Sequence, residues 1–195
     1  MTVNLSKGGN ISLEKVAPGM VHACVGLGWD PRTTDGAPFD LDASAILLDA
    51  TGKAISDQHF VFYNNLKDPS GAVLHQGDNL TGAGDGDDET INVELTVLEP
   101  AVERIVFLAS IHDAAGRRQN FGQVADAYIR VYDRDDPTND AKVVRFDLGE
   151  DASTETALVF GELYQRGGDW KFRAIGQGYT SGLAGVIADY GLNAG

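Results

Sequence analysis

The sequence predicts an all-β protein, an antiparallel two-sheet β-sandwich with short peripheral helices, one of them near the C-terminus. Three observations carry this reading. Apolar residues fall in short runs rich in Val, Ile, Phe and Tyr. Gly, Asp and Pro cluster between the runs as turn signals. No linker, clear repeat or shift of composition divides the chain, so residues 1–195 read as one domain. A chain of this length buries a sizeable core without disulfide staples.

The strand candidates follow in order: VHACVGLGW (21–29), ASAILLD (43–49), HFVFYN (59–64), INVELTVL (91–98) and RIVFLASIH (104–112). AYIRVYD (127–133), KVVRFDL (142–148), ALVFGELYQR (157–166) and WKFRAIGQGY (170–179) complete the set. INVELTV alternates strictly and places Ile91, Val93, Leu95 and Val97 on one side. ATGK (50–53) suits a hairpin turn, and HDAAGRRQ (112–119), YDRDDPTND (132–140) and RGGD (166–169) suit loops. QNFGQVADA (119–127) has room for a short helical turn. TSGLAGVIADYG (180–191) breaks the strand pattern. Thr180 or Ser181 caps a short helix there, Leu183, Val186 and Ile187 recur at helical spacing, and Gly191 ends it.

Composition narrows the function. Hydrophobic residues are 43% and charged residues 23%, an ordinary globular balance. The net charge of −14 argues against nucleic acid and anionic membrane as partners and favours cations. MTVNLSKGGN lacks the apolar stretch of a signal peptide, and no run approaches membrane-spanning length. A cytoplasmic protein with no direct membrane insertion is expected. The lone cysteine, Cys24, sits in an apolar run and reads as a buried thiol, with His22 two residues before it on the same strand face.

GDNLTGAGDGDDE (77–89) is the most unusual segment. Asp78, Asp85, Asp87, Asp88 and Glu89 crowd together among Gly77, Gly82, Gly84 and Gly86. It reads either as a solvated turn or as a site for a hard cation. Ca²⁺ takes six to eight oxygens from carboxylates and carbonyls. Glycines allow the tight curl that aims carbonyls inward, and a bound cation relieves the repulsion. The segment contains no Lys or Arg, and Asn79 and Thr81 add neutral oxygens. No EF-hand register exists. Upstream, Asp30, Asp35, Asp40 and Asp42 lie in GLGWDPRTTDGAPFDLDASA (26–45), with Asp40 and Asp42 on one face of a strand entrance. Loops of a sandwich gather at its ends, so Asp30 and Asp42 are placed to complete a site with 77–89. YDRDDPTND, mixed with Arg134, reads as a solvated loop, whereas Glu150 and Asp151 either cap or approach a cation.

A metal-dependent hydrolase using the clustered carboxylates is the alternative function. Little else supports it. His22, His59, His75 and His112 are scattered, and the chain has neither H-E-x-x-H nor G-x-S-x-G nor a Walker loop. One cysteine and no redox cofactor motif argue against redox catalysis by the chain itself.

Six segments together resemble the bacterial tellurite-resistance TerD family. They are VGLGWD (25–30), FDLDASA (39–45), HQGDNLTGAGDGDDE (75–89), RRQNFGQV (117–124), DASTETALVFGELYQR (151–166) and WKFRAIGQGY (170–179), and the opening VNLSKGGNISL also fits. The resemblance spans nearly the whole chain, in order. It implies a β-sandwich that binds more than one Ca²⁺ and serves bacterial stress response, including tellurite resistance, and the missing catalytic motifs make a non-enzymatic module the expected reading. Carried over, the calcium residues are Asp78, Asp85, Asp87, Asp88 and Glu89 first, then Asp30, Asp40 and Asp42, with Asn79 adding an oxygen and Gly84 and Gly86 offering carbonyls or the bend. The resemblance also implies a cytoplasmic protein acting with other Ter proteins, some in a complex at the inner membrane. For GELYQR and WKFRAIGQGY the residues themselves suggest a hairpin with Trp170 and Phe172 on one face. Arg173, Gln177 and Tyr179 are a possible partner surface.

Overall fold

Strands account for most of the regular structure. The computed structural model describes residues 2–30, 36–77, 79–81, 86–148 and 154–193. The first strands are β1 (Val3–Asn4), β2 (Asn10–Ser12), β3 (His22–Gly28), β4 (Leu41–Leu48), β5 (Phe60–Val61) and β6 (Val73–His75). They are followed by β7 (Glu89–Glu94), β8 (Arg104–Ile111), β9 (Tyr128–Asp133), β10 (Val143–Asp147), β11 (Ala157–Arg166) and β12 (Asp169–Tyr179). Three short helices accompany them, α1 (Leu13–Val16), α2 (Ala114–Arg117) and α3 (Gly182–Asp189).

The strands form two six-stranded sheets. The first has the order β1-β10-β9-β3-β7-β6 and the second β2-β12-β11-β8-β4-β5. Every pairing is antiparallel except β1 with β10. Alternation decides which side chains meet between the sheets. Val25 and Leu27 of β3 and Ile91 and Val93 of β7 face Leu41, Ala45, Phe107, Phe160 and Phe172 of the second sheet in one core. On the outer side of the second sheet, Ile46, Leu48, Val106, Leu108 and Val159 pack under Val186 and Ile187 of α3. Burying that second stripe is the work of the C-terminal helix. Gly191, at φ 81°, follows its last turn.

The local predictions translate closely for the long runs. β11 spans the residues expected of it, and Gly167 and Gly168, both at positive φ, close its hairpin with β12. Phe172 is buried in the core, with Trp170 packed against it. Cys24 is buried. Two expectations need correction. The strand expected over 59–64 shrinks to Phe60–Val61, because Asp57–His59 form a 3-10 turn. The strand expected over 91–98 begins at Glu89 and ends at Glu94; beyond it the chain turns, and Val97 is 58% exposed. Strands β1, β2 and β6, of two or three residues each, are too short to give a periodic signal.

Antiparallel pairing sets where the loops meet. The C-terminal ends of β3, β6, β8 and β10 and the N-terminal ends of β4, β7, β9 and β11 lie at one end of the sandwich. The described parts of the acidic segments, residues 29–30, 36–40, 76–77, 79–81 and 86–88, therefore open at that end, beside 112–127.

Candidate functional site

Asp88 and Glu89 leave β7 on opposite sides. Glu89 points inward and is 2% exposed. Its Oε2 accepts a hydrogen bond of 2.5 Å from the Ala43 amide of β4, across the sandwich, and lies 3.6 Å from His75 Nε2. His75 Nε2 also stands 3.1 Å from the Ala43 carbonyl oxygen. Strand β5 pairs with β4 only at Ala45 and Ile46. The edge groups of Ala43 would otherwise lack partners, so two side chains of the first sheet satisfy them. Burial raises the Glu89 carboxyl above its ordinary value, and hydrogen bonds from His75, Ala43 and Asn79 partly offset the rise.

Asn79 ties this buried acid to the rim. Its amide N–H donates to Glu89 Oε1 at 3.1 Å, and its Nδ2 donates to Asp88 Oδ1 at 3.1 Å. Asp88 Oδ2 accepts from the Trp29 amide at 2.9 Å. Trp29 is buried and donates its Nε1–H to the Phe39 carbonyl at 3.2 Å, joining both ends of the 29–40 segment. The Asp88 carboxyl is raised by desolvation, against the Trp29 hydrogen bond, and further by the charges of Asp87 and Asp30. The exposed Asp30 carboxyl is raised chiefly by a hydrogen bond with Asp126. Two carboxylates this close either share a proton or attract a cation. Asp126, at φ 52°, belongs to the loop before β9, and nothing local in the sequence singled it out.

Asp87 goes elsewhere. It folds back over the outer face of the first sheet, where its Oδ1 accepts from Arg130 Nε at 2.6 Å. The Tyr128 hydroxyl lies 2.9 Å from the Gly86 carbonyl oxygen and 3.1 Å from Asp87 Oδ1, with one proton to give. Burial, then the Asp87 charge, pushes the Tyr128 phenol up to about 12, so it remains a donor. The glycines of VGLGWD make this possible. A Cβ at Gly26 would overlap the Asp87 carboxylate, and one at Gly28 would overlap the Tyr128 ring. The acidic segment has no cation of its own, but β9 brings one to it.

Asp40 immediately precedes β4 and Asp42 lies within it, and both are buried. Arg117 Nη1 lies 3.2 Å from Asp40 Oδ2, and His112 Nδ1 lies 3.9 Å from Asp42 Oδ2. Asp40 Oδ1 is buried with no hydrogen-bond partner among the described residues. Asp78 and Asp85, with Gly84, Asp35, Glu150 and Asp151, lie outside the described residues. Of the expected ligand set, the structure therefore joins Asn79, Asp88 and Glu89 through hydrogen bonds and brings Asp30 near Asp88. Asp87 pairs with Arg130, and Asp40 pairs with Arg117. Among the described residues, no three His, Cys, Asp or Glu side chains are grouped closely enough to hold a metal by themselves. The acidic run 132–140 is tied down rather than merely solvated, since Asp135 meets His22 at 2.7 Å and Asp136 meets Lys142 at 3.0 Å. No helix among the described residues is long and apolar enough to cross a membrane.

Comparison with known proteins agrees with this architecture. The model of the TerD domain matches residues 1–190. The chain is 58% identical to tellurium resistance protein TerD of Serratia marcescens over 194 residues, covering all of both chains. It is 50% identical to general stress protein 16U of Bacillus subtilis (strain 168), again over the full length of both. A crystal structure of a homologue of telluride resistance protein (TerD) from Streptomyces coelicolor A3(2) superposes with a TM-score of 0.67 at 24% identity. It covers 87% of this chain and 96% of the other. A protein of unknown function superposes with a TM-score of 0.71 at 25% identity, over 87% and 95% of the two chains.

Proposed function

Because the chain belongs to the TerD domain family, whose named members serve tellurium resistance and general stress response, we propose that it is a calcium-binding, non-enzymatic stress protein. The observation that supports this most is Asp30 at the end of β3, whose carboxyl is raised chiefly by a hydrogen bond with Asp126, and whose charge joins desolvation and Asp87 in raising the carboxyl of Asp88. That is the electrostatic condition a divalent cation relieves. The donor set is all oxygen, as Ca²⁺ and Mg²⁺ prefer. Asp30 and Asp88 would hold the ion with Asp78 and Asp85, which the sequence places in the adjoining loop. Asn79 and Glu89 would hold the loop from beneath. Asp40, with its unpartnered buried oxygen, is the place for a second ion.

Asp87 serves this reading as an anchor, held by Arg130, more than as a ligand. Calcium would order the loop end and present a surface to other Ter proteins, including members of a membrane-bound complex. The chain itself works in the cytoplasm.

Calorimetric titration of chelator-treated protein with Ca²⁺, with Mg²⁺ as competitor, tests the reading. Binding should survive Mg²⁺, and at about 100 times Kd it should stabilise the fold by about 2.7 kcal/mol. Asp30→Asn with Asp88→Asn should abolish both effects. Unchanged binding in that double variant would move the ion elsewhere, and no binding heat with no gain in stability would remove calcium from the function.

A further inference from the structure

The outer face of the second sheet is divided. Helix α3 covers its apolar half, built on Ile46, Val106, Leu108 and Val159. The other half is left open and is basic, in a chain of net charge −14. Register places Glu162 of β11 between Arg173 of β12 and Val106 of β8, and Tyr164 between Lys171 and Arg104. Two adjoining clefts of about 510 and 580 Å³ share Glu162, Arg104 and Arg173. Lys7 and Arg166 also line them, against only Glu162 and Glu103, which leaves two positive charges in excess.

Glu162 organises the cations. It is 3% exposed, and its Oε1 lies 2.5 Å from Arg173 Nη2 while Oε2 lies 3.9 Å from Arg104 Nη1. The Arg173 side chain is 42% exposed and the Arg104 side chain 47%, so both heads reach the cleft. Arg173 Nε is itself buried with no hydrogen-bond partner among the described residues. A guanidinium has five N–H donors in a planar fork, and one carboxylate does not fill two such forks. Among the described residues, Lys7, Arg166 and Lys171 have no carboxylate within salt-bridge distance. Beside the charges, Leu48, Val106, Ile175 and Tyr190 form a partly apolar wall.

We propose that this cleft binds a phosphorylated small molecule, its phosphoryl oxygens between Arg104 and Arg173 and its organic part against the half-buried Ile175 and Tyr190. The phosphoryl group is favoured over a carboxylate because Glu162 already supplies a carboxylate, and the excess charge calls for a dianion. The cleft volume is that of small-ligand sites. The site stands on the outer sheet face, independent of the calcium reading.

The test uses the full chain, passed over a chelating resin so that no anionic chelator competes. Arginine Nε–H resonances are followed while inorganic phosphate, pyrophosphate and adenosine monophosphate are added. The Arg173 and Arg104 signals should move and saturate, with adenosine monophosphate tighter than phosphate. Arg173→Gln should weaken binding about tenfold, while Arg145→Gln on the other sheet leaves it unchanged. Glu162→Gln, which removes the internal competitor, should tighten it. No saturable shift with any of the three probes would overturn the proposal. So would an equal response to acetate or to an acidic peptide, which would make the face a docking surface for an acidic protein instead.

Discussion

Asp87 Oδ1 lies 2.6 Å from Arg130 Nε, bringing a residue of the acidic loop onto a strand 43 positions away. The Asp87 side chain is 4% exposed and that of Arg130 28%. A partly buried, hydrogen-bonded pair of this kind leaves an uncompensated charge when one member is removed. Asp87→Ala should cost about 2–3 kcal/mol. Urea denaturation of metal-free protein measures it, and a loss below about 0.5 kcal/mol would show that the pair does not hold the loop.

Gly26 should be coupled to the same carboxylate. Its missing side chain is the space that Asp87 occupies. Gly26→Ala is expected to destabilise by displacing Asp87. In an Asp87→Ala background the same change should cost much less, since the obstructed group is gone. A double-mutant cycle reads the difference as a coupling of about 1–2 kcal/mol; additive losses would mean that Gly26 is needed for another reason.

Glu89 sets a pH dependence whose sign follows from its burial. The folded state raises its carboxyl above the ordinary 4.5. The folded chain thus retains the proton where the unfolded chain has lost it. Through this group, stability is full below 4.5 and declines as pH rises through the folded-state value. Glu89→Gln keeps an acceptor for the Ala43 amide and does not titrate. The variant should therefore gain on the parent as pH rises from about 4.5 to 7 in metal-free buffer. Parallel curves of urea midpoint against pH would rule this out.

Cys24 should behave as an inert thiol. Burial pushes it above the ordinary 9.0, despite a hydrogen bond with Tyr132. The nucleophile is the thiolate, and the folded chain withholds both access and ionisation. A disulfide reagent at pH 8 should label native protein at least about 100-fold more slowly than urea-unfolded protein. Equal rates would place Cys24 at an exposed position.

Much of this was readable from the chain because the causes are local. Alternation in Glu89–Glu94 and apolar spacing in Gly182–Asp189 each span a few residues, and each predicts which face is buried. Gly167 and Gly168 mark a hairpin because their conformation is a property of the backbone itself. The gathering of acidic loops at one end also follows from antiparallel order. Short edge strands such as Val73–His75 escaped because three residues carry no period.

The sequence by itself determined the sandwich, the family and the segment rich in acid and glycine, since composition, alternation and turn chemistry are written along the chain. Only the tertiary structure decided what each carboxylate meets. Neighbours in sequence part at Asp87, Asp88 and Glu89, which turn respectively to Arg130, to Trp29 and Asn79, and to Ala43 and His75. Strand alternation sends adjacent side chains to opposite faces, and sheet register brings a distant residue to each. The charge of an acidic loop is a local fact, while its neutralisation depends on the pairing of β3 with β7 and β9.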